Sequence, residues 1–252
     1  MIRLPLLDSA APERFPDPCL ALRDPNGLLA FGGDLSPARL LAAYSQGIFP
    51  WYGDNEPILW WSPDPRCVFR TESLRLNRSL RRQLRGKAWR VSVDTAFEAV
   101  IRACAVPRES HGGTWIVPEM IAAYVALHRL GHAHSVEVWD GERLIGGIYG
   151  LAVGQLFCGE SMFSAESGGS KLALVSLATL LRAWDWPLID AQVANAHTLG
   201  LGVEEVPRTD YLRDVAQLAA LPGRVGSWAS CAALIQHGNL VESTPEGKAS
   251  ES

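Results

Sequence analysis

Two short polar runs interrupt apolar stretches in the second half of the chain. Gly159-Glu160-Ser161-Met162-Phe163 directly follows a strand-like run, and Asp190-Ala191-Gln192 lies inside another. Strand side chains alternate between faces, so Asp190 and Gln192 are expected on the same one. Leaving a carboxylate and an amide unpaired in an apolar interior is costly. They must therefore form a satisfied pair in the core or face a cleft. In a cleft, Glu160 would supply a further acceptor for a cationic substrate. Other chemistry finds no specific signal. Ser161 stands in Gly-Glu-Ser-Met-Phe, not in the G-x-S-x-G turn of an activated serine. His132 and His134 lack acidic or cysteine companions at ligand spacing and read as strand-edge residues, so no metal is expected. Gly200-Leu201-Gly202 is too short for a dinucleotide fingerprint, and no Walker loop is present, so no cofactor is expected.

Between Gly47 and Arg66, three tryptophans, Phe49 and Tyr52 sit among four prolines. Each proline removes a backbone donor and pushes the preceding residue toward extended conformations. The rings are thus held on turns and short extended pieces. They can stack on flat ligands such as nucleobases, or plug one domain against another. A basic cluster follows: Arg70, Arg75, Arg78, Arg81, Arg82, Arg85, Lys87 and Arg90, with Glu72 the one acid among them. Such a cluster can neutralise phosphates even in a chain of net charge -4. A solvated helix face is the alternative. The planar fork of arginine favours bidentate phosphate contacts.

The elements that must position these residues are readable from caps, turns and periodicity. Ser36 caps a helix opened by Pro37 and closed by Gly47. Composition changes near 63–66, the expected domain boundary. Asn77 caps a helix over 77–84. A strand over 90–94 leads into a helix from Asp94 or Thr95, with Glu98 placed for a capping box. After the loop 107–115, Pro118 opens a helix ending at Gly131. His134–Trp139 and Arg143–Tyr149 form a hairpin across Asp140-Gly141, and 155–160 adds a third strand. A helix over 170–183, a strand over 186–193, a short helix over 194–201, a strand over 203–206 and a helix over 208–219 follow. Helices before and after an antiparallel meander define an α+β class. The composition, 48% hydrophobic and 20% charged, is that of a soluble globular protein. No apolar run approaches the roughly 20 residues that span a bilayer. The N-terminus lacks an apolar signal core, and the five scattered cysteines fit a reducing compartment. A cytoplasmic protein without membrane contact is expected.

Taken jointly, several blocks resemble the leucyl/phenylalanyl-tRNA–protein transferase family. They are 26–37 (Asn-Gly-Leu-Leu-Ala-Phe-Gly-Gly-Asp-Leu-Ser-Pro), Gly47–Trp51, Pro57–Arg66, Gly113-Thr-Trp-Ile, Leu130–Trp139, Phe157–Ser164 and Leu188–Val193. The resemblance runs in order from about Asn26 to Leu212 and implies two domains, to which the polar composition of the end of the chain adds a tail. A small N-terminal domain (1–64) would carry an aromatic loop that binds the tRNA end. A GNAT-like acyltransferase domain (65–225) would have a mixed, largely antiparallel sheet flanked by helices. A C-terminal tail (226–252) would be partly disordered. The implied donors are Leu-tRNA and Phe-tRNA, with Met as a possible third. The implied acceptors are proteins or peptides with N-terminal Arg or Lys, tagged for N-degron degradation by a monomeric enzyme.

By resemblance, Trp51 and Trp115 hold the terminal adenosine, with Tyr44 and Tyr124 close by. Ile148, Phe157, Met162, Leu174, Leu177 and Ile189 line the donor side-chain pocket. Glu160, Asp190 and Gln192 form the acceptor and catalytic site, and Arg78, Arg81, Arg82 and Arg85 contact tRNA phosphates. Gln192 would accept a hydrogen bond from the attacking amine, Asp190 would orient that amide or the acceptor's basic residue, and Glu160 would attract that residue by charge. Trp60 and Trp61 would fasten the two domains together. The sequence departs from the family pattern at Ala191, where cysteine is expected, and at Gly168-Gly169 and Leu199-Gly200. Two competing readings are an acetyl-CoA-dependent N-acetyltransferase and a non-catalytic tRNA- or peptide-binding module. The missing R/Q-x-x-G-x-G/A loop counts against CoA, and the presence of Glu160, Asp190 and Gln192 together counts against a non-catalytic module.

Overall fold

The computed structural model describes residues 4–76, 78–106 and 115–235, with the backbone alone at Ser79. The loop 107–114, the Asn77 cap and the polar stretch 244–252 lie outside the described residues. A four-stranded sheet contains β1 (Leu6–Leu7), β2 (Leu28–Gly32), β3 (Phe49–Pro50) and β4 (Leu59–Trp61), in the order β1-β2-β4-β3. Between β2 and β3 runs α1 (Pro37–Tyr44), where Ser36 caps the Arg39 amide and Pro37 occupies the first turn, as expected. Gly47 ends this segment in the left-handed region at φ 72°. An added Cβ would come within 2.6 Å of Leu212 Cδ2, so only glycine lets the chain pass here.

The second sheet contains β5 (Arg66–Arg70), β6 (Trp89–Val93), β7 (Ala133–Asp140), β8 (Arg143–Val153), β9 (Leu156–Ser164), β10 (Leu188–Gln192) and β11 (Glu204–Val206). Its order is β11-β5-β10-β9-β8-β7-β6, antiparallel throughout except for the parallel pair β9–β10. The helices are α2 (Arg78–Leu84), α3 (Phe97–Ala105), α4 (Pro118–Arg129), α5 (Gly169–Arg182), α6 (Ala196–Leu199) and α7 (Arg208–Ala219). Mixed sheets flanked by helices agree with the α+β expectation.

Strand alternation divides the interior in two. Val68, Tyr149, Leu151, Leu156, Cys158 and Leu188 face the N-terminal sheet, α1, α3, α4 and α7. Phe69, Ile148, Phe157 and Ile189 face α2 and α5 on the other side.

Four local expectations need correction. The hairpin loop is Gly141-Glu142, one residue beyond Asp140-Gly141, because Asp140 pairs with Arg143 and Gly141 alone supplies the positive φ. No capping box opens α3. Thr95 instead gives its hydroxyl to Glu137 at 2.9 Å, and Glu137 also takes the Ser92 and Ser135 hydroxyls. That carboxylate is fully buried, and its demand for donors outweighs a local cap. His134 is not at an edge, since β7 lies between β6 and β8. Its ring stacks on Trp228 at 3.5 Å, and its Nδ1 meets Asp94 at 2.9 Å. Finally, the segment from residue 226 that was read as a tail is packed as far as Ile235. Trp228 and Ile235 are each 2% exposed, and Ala229–Ile235 forms a 3-10 helix.

The tryptophans of the aromatic segment behave differently from one another. Trp60 is fully buried, bonds the Gly32 carbonyl at 2.9 Å and meets Phe15 edge-on, so it serves the N-terminal sheet. Trp61 backs Trp51, with ring centroids 5.6 Å apart. Polar ties to the larger sheet run through Arg66 and through Arg208, whose Nη1 reaches the Ser62 carbonyl at 2.7 Å, beside the shared apolar cluster that holds Trp60.

Candidate active site

Simple alternation does not hold on β10. The register with β5 slips between Asp190 and Gln192, leaving Ala191 as the extra residue, and Gln192 takes φ 61°. Such a bulge re-aims the side chain that follows it. Asp190 fixes the bulge by accepting the Gln192 backbone N–H on Oδ1 at 2.9 Å. Its carboxylate is fully buried and receives Arg66 Nε at 2.8 Å, Arg66 Nη2 at 2.6 Å and the Tyr211 hydroxyl at 2.8 Å. It therefore orients Gln192 through the backbone, not through the amide, and is closed to a substrate side chain.

Sequence reasoning passed over Arg66 and Tyr211. The Arg66 guanidinium is 1% exposed, lies between the rings of Phe49 and Tyr211 at 4.7 and 4.6 Å, and bonds the Gly47 carbonyl at 3.2 Å. Burial alone would lower its pKa, but Asp190 holds it above its ordinary value. A usable signal existed. One arginine and one aspartate, each on an apolar strand, are best satisfied by each other.

Parallel pairing of β9 with β10 ends at Asp190 and Cys158. Beyond that point β9 continues against β8 only, and Glu160 meets Gln192 where the two strands part. Gln192 Nε2 donates to Glu160 Oε1 at 2.8 Å, and the Tyr44 hydroxyl donates to the same oxygen at 2.6 Å. Tyr44 in turn bonds the Tyr124 hydroxyl. The second carboxylate oxygen and the nearby Tyr149 hydroxyl are buried without a hydrogen-bond partner among the described residues. Burial pushes the Glu160 carboxyl up to about 7, against the lowering pull of hydrogen bonds from Tyr44, Tyr124 and Gln192. Burial and the adjacent Glu160 charge push both phenols well above their usual range.

Tyr44, Tyr124, Glu160, Asp190, Gln192 and Arg66 thus converge on one face of the sheet. Tyr44 and Tyr124 are buried props beneath Glu160 and offer no stacking surface. Trp51 is 40% exposed on its loop, and Trp115 is half-buried against the first core. Ile148, Phe157, Leu174, Leu177 and Ile189 are buried together on the opposite face, with Met162 half-buried beside them. Ile189 flanks Asp190 on β10, and Met162 lies two residues after Glu160 on β9. Arg78 and Arg82 are exposed on α2 and Arg85 in the turn just after it, while Arg81 is half-buried and bonds the Leu76 carbonyl at 3.0 Å. The end of α2 is tied to the loop after β9 by Gln83 on the Ser167 carbonyl and by Lys87 on Glu166.

Among the described residues no helix is long and apolar enough to cross a membrane. The family model described as leucyl/phenylalanyl-tRNA protein transferase matches residues 68–216, and the model for that family's N-terminal domain matches 33–64. A leucyl/phenylalanyl-tRNA–protein transferase of Xanthomonas oryzae pv. oryzae is 61% identical over 225 residues, covering 89% of this chain and 90% of the relative. One from Xanthomonas euvesicatoria pv. vesicatoria is 60% identical over 226 residues, with 89% and 90% covered. One from Xylella fastidiosa is 55% identical over 228 residues, with 89% and 93% covered.

Proposed function

The chain belongs to the leucyl/phenylalanyl-tRNA–protein transferase family, and from that premise we propose how its own residues carry out the transfer. The enzyme moves an aminoacyl group from tRNA to the N-terminus of a protein. In the reading supported here, the donors are Leu-tRNA and Phe-tRNA, the acceptors begin with Arg or Lys, and the product enters N-degron degradation. An antiparallel meander followed by one parallel pair supports a GNAT-like catalytic domain (65–225) beside the N-terminal domain (1–64).

The single observation that carries the mechanism is the Gln192–Glu160 hydrogen bond at the strand opening. With its Nε2 committed to Glu160, Gln192 has its side-chain carbonyl left to accept a hydrogen bond from the acceptor's amine. That amine has an ordinary pKa near 7.7–8.0, so a useful fraction is neutral at physiological pH. Its nitrogen attacks the ester carbonyl of the aminoacyl-tRNA. The C–N bond forms, the ester C–O bond breaks, and the terminal ribose hydroxyl leaves. An amide oxygen is a poor base, so the amine proton passes through water or to that hydroxyl. The ester is already activated, and positioning can contribute about 7–11 kcal/mol toward the barrier.

Trp51 and Trp115 stack on the terminal adenosine. Ile148, Phe157, Met162, Leu174, Leu177 and Ile189 take the donor side chain through the opening between β9 and β10. Discrimination of only about 1–3 kcal/mol per methylene in an apolar pocket explains overlap among leucine, phenylalanine and methionine. Glu160 holds the Gln192 amide, Asp190 holds its backbone, and the arginines of α2 meet acceptor-stem phosphates. The test is single-turnover transfer of labelled leucine from Leu-tRNA to an Arg-starting peptide. Gln192→Ala and Asp190→Asn should each cut the rate by about 100-fold with unchanged tRNA affinity. Wild-type rates in either variant would remove the assignment.

A further inference from the structure

The loop from Tyr52 to Ile58 and the first two turns of α4 enclose a cleft of about 680 Å³. Asp54, Glu56 and Glu119 line it, and among the described residues no lysine or arginine does. Glu56 is used by the loop itself, accepting the Gly53 N–H at 2.7 Å. Asp54 and Glu119 make no ion pair or side-chain hydrogen bond among the described residues. Tyr52 also lines the cleft. It is only 9% exposed, and its hydroxyl has no hydrogen-bond partner among the described residues. Burial, with the Glu119 charge adding to it, raises its phenol above the usual value. Ile58 and Val117 add apolar wall. Acidic groups over an apolar floor suit a side chain with an alkyl stem and a cationic head.

The cleft adjoins the proposed tRNA-end site. Tyr52 follows Trp51 directly, Val117 lies two residues after Trp115, and the helix bearing Glu119 also carries Tyr124 to the catalytic cluster. Phosphates would be repelled by its carboxylates, which leaves the protein acceptor as the occupant. We infer that the cleft is a subsite for a lysine or arginine of the acceptor polypeptide, downstream of its first residue. The inference rests on the transfer reading above. The two faces of α4 are about 10–12 Å apart, and an extended chain advances about 3.3–3.6 Å per residue. A residue about three to four positions after the first therefore reaches the cleft.

The experiment uses the full chain, Leu-tRNA, and Arg-starting peptides that are otherwise neutral, with one lysine walked along them. The expected result is a KM lowered about fivefold, with unchanged kcat, at one or two adjacent positions. That advantage should fade at high salt. The double variant Asp54→Asn/Glu119→Gln should lose it while transferring to the neutral peptide as wild type does. Glu119→Lys, followed with a thermal unfolding curve to confirm its fold, should invert the preference toward a peptide carrying aspartate. Equal KM values across the wild-type series, or a lysine advantage that survives the double variant, would overturn the subsite alone. Absence of transfer to every Arg-starting peptide would overturn both the subsite and the reading beneath it.

Discussion

Glu160 shows how much one side chain depends on its surroundings. Its carboxyl is pushed from 4.5 up to about 7 by burial among Tyr44, Tyr124 and Gln192. Folding therefore favours the protonated acid. The resulting stability is fully present below the unfolded value near 4.5 and is lost as pH rises through about 7. The size is on the order of 3 kcal/mol. Chemical denaturation between pH 4.5 and 8 should show wild type losing stability across this window, while Glu160→Gln lacks that component of the slope. Parallel pH dependences in the two proteins would mean that Glu160 is already ionised throughout. The residue was legible in the sequence as a polar member of an apolar run. Its partners were not, because Tyr44 lies 116 positions away.

At the scale of elements, α2 and the C-terminal turn make opposite cases. The arginine run was legible as a helix with a basic face, and Arg78, Arg82 and Arg85 do stand exposed. Replacing these three with alanine should weaken tRNA binding across all sequences. Each lost phosphate contact should reduce the slope of log affinity against log salt by about 0.7–0.9. Filter binding over a salt series checks this, and an unchanged slope would return α2 to the role of a solvated face. The turn carrying Trp228 was invisible as structure, since its polar and small residues show no period and its worth lies in one buried ring. That ring stacks on His134, and its backbone N–H meets Asp94 at 2.7 Å. Trp228→Ala should cost about 3–5 kcal/mol in a denaturant titration. A loss below 1 kcal/mol would place the turn outside the cooperative fold.

Across the whole molecule, Arg66 joins the N-terminal segment at Gly47 and Phe49 to the bulge that presents Gln192. Arg66→Met would leave Asp190 charged and unpaired in the interior, at a cost of about 3–5 kcal/mol. Pairing it with Asp190→Leu should recover most of that stability, because an apolar pair avoids the desolvation of both ions. Transfer activity should stay low in the double variant, since the Gln192 N–H loses its acceptor. Calorimetry and the single-turnover assay, run on the same preparations, separate these two outcomes.

The sequence by itself determined the helix capped by Ser36, the meander, the α+β class and, through the order of its motifs, the family. Those signals act over a few residues, through backbone sterics, side-chain periodicity and turn chemistry. Only the tertiary structure decided that β10 carries a bulge, that Asp190 is spent on Arg66, and that Tyr44 and Tyr124 lie beneath Glu160. The pairing of Arg66 with Asp190 closes 124 residues of chain. Whether a carboxylate meets water, an arginine or a tyrosine depends on what packs over it. That is settled only when distant elements converge and the polar groups they bury must satisfy one another.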